Sequence, residues 1–125
     1  MNSDIKVLRI GIASRRQMQA RTIAIARGEY KPGPDDPKVW FTSLESLAQV
    51  LSAPNQHLLE LIRRERPASI AELATLADRE QSNLSRTLRT MERYGLVILT
   101  KVDHRVVPEV PYARFFVEVS LPLAA

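Results

Sequence analysis

Cysteine is absent from the 125 residues, which excludes disulfides, thiolate zinc sites and cysteine nucleophiles together and suits a cytoplasmic, reducing setting. Histidine occurs only at His57 and His104, and with no thiolate to join them no metal site is expected. The four glycines form no phosphate-cradling loop. No apolar run approaches the ~18 residues of a membrane span, so no membrane partner is expected. The opening MNSDIKVLRIGIASRR mixes charge with apolar side chains and lacks the apolar core of a secretory signal. A catalytic constellation is missing too. His104 beside Asp103 falls at a turn tip, where nothing desolvates or orients it, and His57 sits on a helix surface between Gln56 and Leu58. Neither an enzyme nor a cofactor is expected.

What is present is an ordinary apolar content of 45%, enough for a core, and a net charge of +4. That charge is unevenly placed. Residues 1–31 hold seven Lys/Arg against two acids, whereas residues 67–96 balance four arginines with four acids. Any polyanion-binding reading of the second stretch must therefore rest on which face its arginines occupy.

Taken in order, residues 5–12 (IKVLRIGI) read as a strand, and Ser14 with Gln17 forms a capping box that opens a helix to about Arg27, stopped by Gly28. Residues 1–31 are thus a strand–helix arm for dimerisation or partner binding. Residues 32–41, within and after KPGPDDPK, read as a proline-rich linker whose last residues, Val39, Trp40 and Phe41, plug a core. From residue 42 the pattern is helical. Thr42 and Glu45 box a helix over 43–51 with Leu44, Leu47, Ala48 and Leu51 on one buried stripe, and Pro54 opens a second helix over 54–66. Arg63, Arg64 and Arg66 crowd the end of that second helix, where its dipole favours cations.

The stretch from Ser69 to Val97 reads as two helices joined by a tight turn. Ser69 and Glu72 cap the first, whose inward face is Ile70, Leu73, Leu76 and Ala77. Asp78 with Gln81 forms a further box, placing the second helix over about 79–94, with Gly95 as its stop. That helix sets Leu84, Leu88 and Met91 on one side and Gln81, Ser82, Ser85, Arg86, Arg89 and Arg93 on the other. After Gly95 the period changes to two. Residues 96–102 and 105–110 read as a hairpin around Asp103-His104, with Pro108 confining its strand to an edge, and residues 113–120 as a last strand burying Phe115, Val117 and Val119.

Helices followed by a hairpin are the layout of a winged helix-turn-helix, and here the resemblance has residues to name. Ala74, Ala77, Ser82, Ser85-Arg86, Leu88, Met91-Glu92 and Gly95-Leu96-Val97 are similar to the helix, turn, recognition helix and wing entry of MarR-like transcriptional regulators. The whole chain also resembles a group of small predicted prokaryotic regulators, some of which look like antitoxins of toxin–antitoxin pairs. The resemblance implies an α+β fold, a winged helix-turn-helix over 42–125 behind the strand–helix arm. It also implies a DNA-binding transcription regulator, or alternatively an antitoxin that neutralises a partner toxin and represses its own operon.

The residue chemistry is consistent with that reading. Short polar side chains and a forked arginine suit the major groove, so Gln81, Ser82, Ser85 and Arg86 are assigned to the groove, and Arg89 and Arg93 to phosphate or base. Ser69 opens a helix whose N–H groups suit phosphate, and Lys101 and Arg105 flank the wing tip, about 97–110. The expected partners are double-stranded DNA and a second subunit, with a cognate toxin as the alternative. The 5–12 strand is expected to pair either with 113–120 or with that second subunit, since an unpaired strand of this length is an aggregation hazard.

Overall fold

The computed structural model describes residues 6–121, so Ile5, first in the expected 5–12 strand, lies outside the described residues. The elements are β1 (Val7–Ile12), α1 (Arg15–Ala26), β2 (Val39–Phe41), α2 (Leu44–Val50), α3 (Ala53–Glu65), α4 (Ile70–Ala77), α5 (Gln81–Arg93), β3 (Ile98–Val102), β4 (Arg105–Glu109) and β5 (Arg114–Val119). They form two compact units. One holds the described residues up to Gln49 together with those from Arg114, and the other is Val50–Ala113. The architecture is α+β, with the helix–helix–helix–hairpin order of a winged helix-turn-helix in the second unit. No helix among the described residues is long and apolar enough to cross a membrane.

The first unit is built on a three-stranded sheet in the order β2-β1-β5, parallel throughout. β1 is central, and its Leu8, Ile10 and Ile12 are buried to 5% exposure or less. Parallel neighbours need a crossover, which α1 and the loop after it supply between β1 and β2. The Ser14–Gln17 capping box that opens α1 forms in both directions, and Gly28 follows at a φ of 75°.

The proline-rich stretch is fastened at several points instead of swinging free. Arg21 lies over the Trp40 ring at 5.0 Å and the Tyr30 ring at 5.6 Å, and bonds Asp36 at 3.1 Å. The Tyr30 hydroxyl donates to the same carboxylate, and the Lys38 N–H reaches the Arg9 carbonyl at 3.0 Å. Trp40 in turn lies flat on its register partner Gly11, where a Cβ would come within 2.4 Å of the indole.

Three expectations change in this unit. Residues 32–41 are not simply a linker, because Val39–Phe41 hydrogen-bonds to β1 as a strand and Phe41 is buried. The capping residue of α2 is Ser43, not Thr42, since Ser43 Oγ accepts from the Ser46 N–H at 3.0 Å; the helix then starts one residue later and Leu44 is half exposed instead of part of a buried stripe. The 113–120 strand does pair with β1, from Val7 opposite Arg114 to Ile12 opposite Val119. It leaves the wing's unit to do so, and as the terminal strand it does not bury the expected face: Val117 and Val119 are 45% and 38% exposed, and Phe116, on the other face, 43%.

Candidate nucleic-acid interface

The second unit assembles the predicted helical pair. Ser52 caps α3 through the Asn55 N–H, and Arg66 ends it in a left-handed conformation ahead of the buried Pro67. α4 packs against α3, α5 and β4. Its cap is Ser69, whose Oγ accepts from the Glu72 N–H at 3.0 Å, while the Glu72 carboxylate takes the Ala68 N–H at 3.1 Å. An acidic group therefore already occupies that helix start, and an incoming phosphate at Ser69 would meet it.

The turn differs from the sequence reading in its bookends. Asp78 does not open α5. It closes α4 in the left-handed region, φ 54° and ψ 50°, its N–H turned back to the Ala74 and Thr75 carbonyls. Aspartate tolerates this conformation better than most residues, which frees it for the end of one helix and removes it from the start of the next. Glu80 is the residue before α5, which begins at Gln81, and the Glu80 side chain accepts from the Ser82 hydroxyl at 2.9 Å. Arg79, not singled out from the sequence, braces the turn by bonding Asn83 Oδ1 at 3.0 Å and Thr87 Oγ1 at 3.4 Å.

α5 is anchored by Leu84, Leu88 and Met91, each fully buried. At 3.6 residues per turn, Ser82, Arg86, Arg89 and Arg93 fall within about 60° of one another on the opposite side. All four are exposed. Gln81 is exposed at the helix start, whereas Ser85 is half buried on the flank, turned partly toward the core. Among the described residues, the Arg86, Arg89 and Arg93 side chains enter no ion pair or hydrogen bond, whereas Arg9, Arg21 and Arg64 each hold an acid. The helix ends as expected, with the Gly95 N–H bonding Glu92 O at 2.9 Å and the Leu96 N–H bonding Met91 O at 3.0 Å.

The wing is a two-stranded antiparallel ladder from Ile98 opposite Glu109 to Val102 opposite Arg105, with Asp103 in a left-handed turn. Pro108 is tolerated because a two-stranded ladder has only edges. Lys101 and Arg105 are both exposed. Arg105 also has a structural bond, Nε to the Ala68 carbonyl at 3.0 Å, which ties the wing to the entry of α4 and brings Arg105 close to Ser69 in the chain. Arg63 plays a matching part at the other end of the hairpin, bonding the Val110 carbonyl at 3.1 Å across 47 residues. Its crowding at a helix end had only a dipole explanation in the sequence, and no local signal announces a partner so distant.

The structure thus gathers Ser82, Arg86, Arg89 and Arg93 into one outward stripe, while Gln81, exposed at the helix start, lies about 100° around from Ser82. Lys101 and Arg105 both stand near the hairpin tip but on opposite faces of it, Lys101 opposite Val106 and Arg105 opposite Val102, and Ser85 stands at the margin. Among the described residues no group of three or more His, Asp or Glu is placed to hold a metal ion.

Comparison with known proteins gives three results. Residues 50–117, more than half of the chain, match the sequence model of the family HVO_A0114. No curated protein matches. Among solved structures, the chain is similar to a crystal structure of the predicted DNA-binding transcriptional regulator from E. coli. The two share 17% identity over 78% of this chain and 83% of that one, with a TM-score of 0.46.

Proposed function

We propose that this chain, which belongs to the HVO_A0114 family, is a sequence-specific DNA-binding transcriptional regulator of MarR-like type. It lays α5 in the major groove and its hairpin on the flanking backbone. One observation carries the reading: an outward stripe of Ser82, Arg86, Arg89 and Arg93, with no side-chain partner for its arginines, on a helix whose other side is locked in the core. The competing reading is a solvated face whose arginines pair with the neighbouring acids, Glu80 and Glu92 among them. This face keeps its arginines uncommitted, as phosphate and guanine contacts require.

In this reading Gln81, Ser82 and Ser85 meet base edges, and Arg86 forks onto guanine O6 and N7. Arg89 and Arg93 hold phosphate or base, and Lys101 and Arg105 follow the backbone beside the groove. The regulator acts as a homodimer, so that two recognition helices engage half-sites about 34 Å apart.

Selection of bound sequences from a random duplex pool tests the proposal and yields the operator. Arg86→Ala is expected to cost about 1–3 kcal/mol on the best operator and to relax its sequence preference. Equal loss on random duplex would make Arg86 a phosphate contact only. Absence of any enriched sequence overturns the reading.

A further inference from the structure

The exposed edge of the first unit carries a pattern that the DNA reading does not use. β5 is the terminal strand of the order β2-β1-β5, so alternate backbone N–H and C=O groups along it face away from β1. Natural edge strands are blunted by lysine, proline, bulges or shortness. Over Arg114–Val119 the β5 strand, RFFVEV, has six residues with no proline and no lysine, and it pairs with β1 without a bulge. Three of its apolar side chains, Phe116, Val117 and Val119, are 38–45% exposed. Its two charges, Arg114 and Glu118, have opposite signs and stand symmetrically about Phe116, two residues on either side.

We propose that β5 is the homodimer interface, pairing antiparallel with β5 of a second copy of this chain about a twofold axis at Phe116 and joining the two three-stranded sheets into one of six strands. The charges select both the occupant and the register. A twofold axis that keeps the two sheet faces continuous must pair residues of like parity, so it passes through a residue; at Arg114 or Glu118 it would set like charges against each other, which leaves Phe115, Phe116 and Val117 near the strand centre. Through Phe115, Arg114 would face the partner's Phe116 and Glu118 the partner's Tyr112. Through Val117, Arg114 would face the partner's Ser120 and Glu118 the partner's Phe116. Only the axis at Phe116 sets Arg114 opposite the partner's Glu118 and, by symmetry, Glu118 opposite the partner's Arg114, with the two Phe116 rings adjacent. Such cross-strand pairs are the unit of sheet stabilisation. In this structure Arg9 already lies over the Phe116 ring at 5.0 Å, holding it on that face. A strand that complements itself in sign and in apolar content fits a second copy better than an unrelated protein.

The inference rests on the homodimer in the proposed function. Its test needs no DNA, so it can fail while the DNA reading stands, and the reverse. Sedimentation velocity on the full chain, from 1 to about 100 µM, should give a dimer. R114E and E118R each set like charges opposite one another at both ends of the ladder and should weaken the dimer by about tenfold or more. The double variant R114E/E118R restores opposite signs and should recover the wild-type constant. Circular dichroism melts establish that each variant folds. A wild-type monomer across the range overturns the proposal, as does a dimer indifferent to both single changes or a double variant no better than the singles. β5 engaged by a different protein, such as a toxin, while the purified chain stays monomeric, overturns it as well.

Discussion

Arg86, Arg89 and Arg93 differ from Arg63, Arg79 and Arg105 in what holds their guanidinium groups. The second set is bonded to carbonyls, an amide and a hydroxyl that position the turn and the wing. The first set is left to solvent, which is why the interface is assigned to it. Arg105 belongs to both, since one N–H bonds Ala68 and a guanidinium has four more donors. At the same scale, the fastening of the β1–β2 crossover predicts a pH dependence. The Tyr30 hydroxyl, then Arg21 and the Gly33 N–H, hold the Asp36 carboxyl below its ordinary value of 3.8 against a smaller opposing effect of burial. A depressed carboxylate contributes stability that is present above 3.8 and lost as pH falls through the folded value. Asp36 raises Tyr30 above 10.0, so the phenol's share is present below that value and lost as pH rises through its folded value. Asp36→Asn and Tyr30→Phe should each lower Tm between about pH 5 and 9, with the difference from wild type shrinking toward pH 2. A difference unchanged at pH 2 would show that packing, not this carboxylate, makes the contribution.

Among the elements, α4 shows how a sequence signal can be right about a helix and incomplete about its neighbour. Ser69 caps it as the pattern implies, and Ser69→Ala should cost about 0.5–2 kcal/mol in urea unfolding with an unchanged m-value. The other end is ambiguous in the sequence because Asp78 satisfies two patterns. Asp-x-x-Gln resembles a capping box, yet a short polar residue also suits a left-handed helix end. The backbone takes the second option, which lets the Asp78 and Arg79 N–H groups bond the Ala74 carbonyl and makes the turn tight. β5 is a similar case. Its alternation correctly gave a strand, but alternation specifies which residues share a face and not whether that face is covered. Whether it is covered depends on the neighbour beyond the edge, and the described chain supplies none.

For the whole molecule, charge and interface are separate. The excess of basic residues lies in the first thirty-one positions, whereas the residues read as a DNA surface come from a stretch with no net charge. If about six phosphates are neutralised per dimer, log K against log salt should have a slope near −5. A slope twice as steep would bring the basic N-terminal residues into the contact, and a flat one would argue against phosphate contacts altogether. The sequence by itself determined the helices, their caps at Ser14 and Ser69, the Gly95 stop, the hairpin, and the two-sided character of α5. Each of these depends on residues within a few positions of one another, where propensity and periodicity act. Only the tertiary structure decided that the presumed linker contributes a strand, that the last strand pairs beside the first, and that Arg63 and Arg105 hold the wing. Those choices join residues 29 to 107 positions apart, and they are settled by which hydrogen-bonding edges and apolar surfaces meet when the chain closes, which no local pattern encodes.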